Sequence, residues 1–179
     1  MISVYGDLKG ENYKTFVSFA MEHSDAMMLI YCGYGYPLKR RIRDIRRMLR
    51  PFRVASRDNS KSLKKGKPEF EWPNTISRTK ALICAETYRL SPEVKEIVLS
   101  VDDIFAWNYP NHPEDISFFY QGECWIATTP HEKFCDISDH EREVAKMLTS
   151  MGIEYERYPG KSGFKEKYTL KDKADGAAT

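Results

Sequence analysis

The stretch ISFFYQGECWIATT, residues 116–129, contains two apolar and aromatic runs separated by Gln121-Gly122-Glu123. Aromatic and β-branched residues favour strands, and a short glycine-containing connection between two such runs is typical of a β-hairpin. The stretch therefore predicts two antiparallel strands, over 116–120 and 124–129, joined by a tight turn.

Helix and strand patterns alternate through the rest of the chain. Apolar residues recur at the spacing of one helical face over 11–23, which predicts an amphipathic helix. A second helix is predicted over 38–49, with Pro51 expected to end it. The first stripe is Tyr13, Phe16, Val17 and Ala20, and the second is Leu38, Ile42, Ile45, Leu49 and Phe52.

Two further helices have start signals. Ser91-Pro92 offers an N-cap serine and a first-turn proline, and this helix is expected to reach Trp107. Ser138 and Glu141 have the spacing of a capping box before the last helix, which Gly152 would end. Short apolar runs predict strands over 3–5, 26–32, 53–56, 78–88 and 153–158.

This order predicts an α/β or α+β fold, with a mixed β-sheet of about five to seven strands and about four packed helices. The chain has 179 residues, of which 41% are hydrophobic, and this suits a single domain with its own core. We place the globular domain at residues 1–159. Residues 160–179 are mainly Lys, Asp, Glu, Gly and Ala, which predicts a disordered tail.

Residues 38–67 carry the positive charge of the chain. They hold thirteen of its 28 lysines and arginines but two of its 26 acids, a net charge of +11, so the remainder carries −9. A segregated field of this kind steers anionic partners to one face. The outer side of the second helix presents Lys39, Arg40, Arg43, Arg46, Arg47 and Arg50, and an exposed loop predicted over 57–68 adds Arg57, Lys64 and Lys65.

We expect this basic surface to bind a protein partner or an anionic ligand, because arginine makes bidentate contacts with carboxylates and phosphates. Weak nucleic-acid binding through residues 38–67 is a second hypothesis, although no zinc finger, RRM signature or helix–turn–helix pair accompanies it. A solvated helix face, paired with acids of the same molecule or of a dimer mate, is the third. The aromatic residues offered for base stacking are Tyr34, Tyr36, Phe70 and Trp72.

A further block lies between Pro110 and Ile137. It reads Asn111-x-Pro113-Glu114-Asp115-Ile116-x-Phe118-Phe119, then Gly122-x-x-Trp125-Ile126-x-Thr128-x-x-His131-Glu132. In this block the chain resembles a family of small bacterial proteins of unknown function, some labelled as similar to stage III sporulation protein AH. The resemblance implies no catalytic residues. The label implies a membrane anchor, whereas no apolar run here approaches the ~18 residues that span a bilayer.

The same block holds the residue types of general acid–base catalysis. A hydrolase or nucleotide-processing enzyme, with the arginines holding phosphate, is therefore an alternative function. The alternative, structural interpretation is that the aspartate caps a turn and that the His-Glu pair holds a loop. The catalytic candidates are Glu114, Asp115, His131 and Glu132. Because Cys124, His131, Cys135 and His140 match no standard zinc spacing, we predict no metal site and no cofactor.

The four cysteines contain no Cys-x-x-Cys pair, and residues 1–6 lack the basic start and apolar middle of a signal peptide. We therefore expect a cytoplasmic protein with reduced thiols and no membrane segment. The leading hypothesis is a non-catalytic binding module, such as an immunity or regulatory protein, that recognises a protein partner. A homodimer is also compatible with the sequence.

Overall fold

Ten β-strands and five α-helices form the part of the chain that the computed structural model describes, residues 1–6, 8–33, 38–138 and 140–158. The strands are β1 (Ile2–Tyr5), β2 (Ala26–Cys32), β3 (Arg53–Asp58), β4 (Phe70–Trp72), β5 (Thr75–Ser77), β6 (Ile83–Arg89), β7 (Glu114–Tyr120), β8 (Glu123–Thr129), β9 (Phe134–Ile137) and β10 (Tyr155–Arg157). The helices are α1 (Gly10–Glu22), α2 (Arg40–Leu49), α3 (Ser60–Lys64), α4 (Pro92–Val98) and α5 (Glu141–Ser150), with 3₁₀ turns at Arg50–Phe52 and Ile104–Ala106.

Eight strands make one sheet in the order β10-β1-β9-β8-β7-β2-β6-β3, and every pairing in it is antiparallel. β4 and β5 form a separate two-stranded hairpin. The fold is therefore α+β, with β10 and β3 at the two edges of the main sheet.

The central strand β2 shows that both faces of the sheet are covered, because all seven of its residues are buried. Alternate residues of a strand point to opposite faces, so β2 contributes to two cores. The larger core contains Met27, Leu29 and Tyr31, together with the buried residues of α1, α2, α4 and α5. The smaller core contains Ala26, Met28, Ile30 and Cys32, together with Phe70 and Trp72 of β4. The β4–β5 hairpin thus covers the face opposite the helices.

The apolar stripe predicted for the first helix is confirmed as its buried face, and three of the five residues predicted for the second stripe are buried; Leu38 and Phe52 lie outside α2 and are half-buried. α1 buries Tyr13, Phe16, Val17 and Ala20, and α2 buries Ile42, Ile45 and Leu49. The Tyr13 hydroxyl donates to the Val98 carbonyl at 2.6 Å, which ties α1 to α4. Packing α2 by its apolar stripe leaves its arginines on the outer side.

The hairpin predicted for residues 116–129 is also confirmed. β7 and β8 pair with Tyr120 opposite Glu123, so Gln121 and Gly122 form a two-residue turn. Both have positive φ, 50° and 82°, as a type I′ turn requires.

The main sheet differs from the prediction in two respects. It is antiparallel throughout rather than mixed, and its eight strands exceed the five to seven expected. β4, β5 and β9 have no counterpart in the prediction. They are three or four residues long, too short for hydrophobic periodicity to mark them.

The helix predicted to begin at Ser91-Pro92 corresponds to α4. It is shorter than predicted, because it ends at Val98 rather than near Trp107. The backbone after it pairs with the segment before α1. Gly10 N donates to Asp102 O at 2.6 Å, and Ile104 N donates to Leu8 O at 3.1 Å. These long-range hydrogen bonds use backbone groups that a continuing helix would pair locally.

The buried Asn59 changes two predicted boundaries. Its Nδ2 donates to Ala81 O and its Oδ1 accepts from Ile83 N, both at 2.9 Å, so β6 begins at residue 83 rather than 78. The same residue precedes α3. Residues 57–68, predicted as a loop, therefore contain the end of β3 and a short helix.

α5 begins at Glu141, and His140 is its N-cap in a left-handed conformation with φ 51°. The predicted capping box from Ser138 therefore does not form; the Ser138 hydroxyl donates to Trp125 O at 3.4 Å. The tail predicted at 160–179 lies outside the described residues. In the described part of the chain, no helix combines the length and apolarity needed to cross a membrane.

We expect Ile42→Ala to lower the free energy of unfolding by about 2–5 kcal/mol, because truncating a buried aliphatic side chain leaves a cavity. Ile42 is 1% exposed, whereas Met48 on the outer side of the same helix is 49% exposed. The matched control Met48→Ala should change the free energy by no more than about 0.5 kcal/mol. Urea denaturation followed by circular dichroism measures both, and equal losses would contradict this packing of α2.

Candidate functional site

An open cleft of about 510 Å³ lies on the outer side of α2, where this helix meets β3. Its described lining residues are Leu38, Arg43, Arg46, Arg47, Arg50 and Arg53. We call it the arginine cleft, because five of these six residues are arginine.

The local sequence explains why these side chains converge. Residues 43, 46, 47 and 50 are three or four positions apart, so they project from neighbouring turns on one side of α2. The 3₁₀ turn Arg50–Phe52, which contains Pro51, then redirects the chain into β3. Arg53 begins β3 and so returns to the same cleft.

A buried carboxylate holds two of the arginines. Glu86 of β6 is 1% exposed, and its Oε1 accepts from Arg46 and from Arg53, each at 2.7 Å. Its Oε2 accepts from the Tyr88 hydroxyl at 2.6 Å, and the hydroxyls of Tyr88 and Tyr31 are 2.7 Å apart. This network, which we call the Glu86 network, connects α2, β3, β6 and β2.

The network keeps Glu86 ionised despite its burial. Burial by itself raises the pKa of this carboxyl, but hydrogen bonds from Arg46, Tyr88 and Arg53 outweigh it, and the pKa is lowered. The guanidinium of Arg46 also lies over the Tyr31 ring, 4.8 Å from its centroid. Arg46, predicted on the outer face, is therefore turned partly toward the sheet.

The remaining arginines of the cleft are less fully neutralised. Arg47 is 3.0 Å from Asp44, which also lies 3.8 Å from Arg40. Arg43 and Arg50 have no ion-pair or hydrogen-bond partner among the described residues. The cleft thus combines arginines fixed by an internal carboxylate with arginines whose donors have no acidic partner among the described residues.

The other predicted basic residues do not line the cleft in the described part of the chain. Lys39 precedes α2, and Lys64 and Lys65 lie at the exposed end of α3. Arg57 lies over the Phe70 ring, 4.5 Å from its centroid, and donates to Glu71 O, so it joins β3 to β4. Arg53 is the cleft residue missing from the prediction, although the +11 segment contains it.

Two of the four aromatic residues offered for base stacking are buried. Phe70 is 7% exposed and Trp72 is 4% exposed, since both pack against the sheet. Tyr34 and Tyr36 lie outside the described residues.

The acid–base candidates lie around the start of β7 and the end of β8, where the β4–β5 hairpin packs on the sheet. Asp115 is 2% exposed, has a positive φ of 54°, and accepts from Trp72 Nε1 at 2.6 Å. Burial raises its pKa to about 6, and the Trp72 hydrogen bond and the nearby His131 partly oppose that rise. Asp115 therefore anchors the β4–β5 hairpin to β7, and a substrate has little access to it.

His131 and Glu132 follow β8 in an exposed turn, with His131 Nε2 3.6 Å from Glu132 Oε1. Both influence the pKa of Asp115, so three of the four candidates share one neighbourhood. Glu114, the fourth, is buried next to Asp115 in β7. The arrangement pairs an exposed imidazole and carboxylate with carboxyls that solvent hardly reaches.

The residues considered for metal binding lie in separate environments. Cys124 belongs to the smaller core, Cys135 belongs to the larger core, and His131 is exposed. His140 packs against His23, with ring centroids 4.7 Å apart. No group of three or more His, Cys, Asp or Glu within residues 1–6, 8–33, 38–138 and 140–158 is arranged to hold a metal ion.

Comparison of the chain with protein-family models, with curated proteins and with solved structures gives no match. Its function therefore has to be inferred from the chemistry of its own residues.

We expect Glu86→Gln to destabilise the protein by about 2 kcal/mol at pH 7, because hydrogen bonds to a charged group contribute ~1.5–3 kcal/mol. The lowered pKa of Glu86 means that its stabilisation is present above the unfolded value of 4.5 and is lost as pH falls through the folded value. In urea unfolding between pH 2.5 and 7, the free energy of unfolding of the wild type should exceed that of Glu86→Gln at pH 7, and the difference should shrink in acid.

The control for this variant is Glu123→Gln, because Glu123 is exposed in β8. It should leave the unfolding midpoint at pH 7 nearly unchanged. A Glu86→Gln effect of the same size at every pH would contradict a carboxylate that is ionised in the folded state.

For Asp115 the sign of the pH dependence is opposite. Its pKa is raised from 3.8 to about 6, so its stabilisation is complete below pH 3.8 and is lost as pH rises through 6. Between pH 3.5 and 7, the free energy of unfolding of the wild type should fall by on the order of 3 kcal/mol relative to that of Asp115→Asn, which keeps an acceptor for Trp72. A constant difference over this range in urea unfolding would contradict the prediction.

Proposed function

We propose that the protein is a non-catalytic binding module whose arginine cleft receives anionic groups of a protein partner. The observation that carries this proposal is the convergence of five arginines on one open cleft of about 510 Å³. Arginine presents a planar fork of donors that matches a carboxylate in bidentate geometry.

The state of charge in the cleft supports the same function. Arg46 and Arg53 are fixed by Glu86, which limits the side-chain freedom that an incoming ligand has to restrict. Arg43 and Arg50 have no acidic partner among the described residues, and like charges at helical spacings of three and four repel each other. An external carboxylate relieves that repulsion and satisfies the free donors.

A protein partner fits better than nucleic acid. Single-strand binding combines a basic groove with exposed aromatic rings on which bases stack. Phe70 and Trp72, the two described residues among the four aromatics offered for base stacking, are buried against the sheet. The enzyme alternative is weaker because Asp115 is 2% exposed and already engaged by Trp72. We expect such a binding module to act as a regulatory protein or as an immunity protein.

The test is fluorescence anisotropy with a labelled hepta-glutamate peptide at low salt. We expect the wild type to bind and Arg43→Gln/Arg50→Gln to lower the affinity about tenfold, because two charge-assisted contacts of ~0.5–1 kcal/mol each are lost. The matched control is Arg142→Gln/Lys146→Gln, which removes the same charge from exposed positions of α5 and should change the affinity less than twofold.

Three results would overturn the proposal. Equal losses in the two double variants would mean that net charge, not the cleft, attracts the peptide. Binding of DNA in preference to the peptide, with a log–log salt slope of roughly −0.9 per phosphate contact, would identify a nucleic-acid site. Absence of binding to either probe would leave the basic surface as a solvated one.

A further inference from the structure

Among the residues that the structure describes, β3 is an open edge of the main sheet. It pairs with β6 on one side and is the last strand in the order on the other. All six of its residues are exposed, and Val54 is 55% exposed. An edge of this kind presents a row of backbone donors and acceptors to which another strand can pair.

The direction of these backbone groups follows from the ladder. Asn59 N donates to Ile83 O at 3.2 Å, so the backbone of residue 59 points toward β6. Alternate residues of an antiparallel strand point the same way, which places Arg57 and Ala55 toward β6 as well. The N–H of Ser56 therefore points away from the sheet.

The side chains of β3 set the charge that an added strand meets. Arg53 lies on the helix side of the sheet, where it contacts Glu86, and Arg57 lies on the hairpin side, over the Phe70 ring. Directly opposed side chains on one face of a strand pair interact, and like charges there destabilise the pair. β3 holds two arginines and one acid, Asp58, so a second copy of the strand would bring the same net positive charge to the edge.

From these observations we infer that β3 receives an extended acidic segment of a protein partner as a ninth strand of the sheet. The open edge supplies the backbone hydrogen bonds, and the net positive charge of β3 and of the arginine cleft beside it favours acidic side chains over a second copy of the same strand. This inference rests on the proposed function, because it specifies the conformation of the acidic partner. The arginine cleft lies beside this edge, since Arg53 belongs to both.

The experiment compares two peptides with the full-length protein by fluorescence anisotropy. One is labelled Glu-Val-Glu-Val-Glu-Val-Glu, and the other has the same sequence with every inner amide nitrogen methylated. Methylation keeps the charge but removes the donors that strand pairing needs. We expect the methylated peptide to bind at least tenfold more weakly. Equal binding of the two peptides overturns the inference and leaves recognition of anions by the arginine cleft intact.

A protein variant tests the same edge. Ser56→Pro removes an outward N–H without taking a donor from the β3–β6 ladder, and Pro is tolerated on edge strands. It should weaken binding of the unmethylated peptide about fivefold, whereas Ser56→Ala, which keeps the N–H, should not. Circular dichroism confirms that each variant is folded, and the peptide comparison decides the question if Ser56→Pro is not.

Two other results also overturn the inference. Failure of the unmethylated peptide to bind does so, and the hepta-glutamate titration then shows separately whether anion recognition survives. A wild-type dimer in sedimentation that Ser56→Pro converts to a monomer assigns the edge to a second copy of the chain.

Discussion

The buried carboxylate of Glu86 joins the basic helix to the sheet. An isolated α2 would have to hold its arginines close together on one side, and like charges at this spacing oppose helix formation. Glu86 binds Arg46 of α2 and Arg53 of the edge strand β3, so one buried carboxylate is the counterion of two arginines. A buried carboxylate requires such partners to stay ionised, because desolvation penalises an unpaired charge. The position of α2, the start of β3 and the shape of the arginine cleft all depend on this pairing.

The two-sided burial of the sheet places the candidate sites on different parts of the molecule. The helices cover one face, and the arginine cleft forms where α2 reaches the edge of that cover. The β4–β5 hairpin covers the other face, held by Phe70, Trp72 and the hydrogen bond from Trp72 to Asp115. The carboxyl that looks catalytic in the sequence is therefore occupied in holding the hairpin. The hydrogen bond from Trp72 gives its Oδ2 atom this structural role.

Local sequence patterns predict the structural features that depend on residues close together in the chain. The buried stripes of α1 and α2 follow from 3.6-residue spacing, and the turn at Gln121-Gly122 follows from its residue types. Features set by distant partners are not predictable in this way. α4 stops because residues 102–104 pair with residues 8–10, and Arg53 enters the cleft because β3 pairs with β6. Glu86 carries no local signal of its role, since its two arginine partners lie 33 and 40 positions away.

The basic segment that supplies the arginines of α2 also places Arg53 and Arg57 on the β3 edge. A fully exposed edge strand invites pairing with any extended chain, and proteins commonly restrict this with charged side chains. Arginines on both faces of β3 restrict it unequally, because they repel basic strands and copies of the same strand but attract acidic ones. In the proposed function, exclusion of a second copy and recognition of an acidic partner are therefore two consequences of one charge distribution. The division of the chain into a +11 segment and a −9 remainder maintains that distribution.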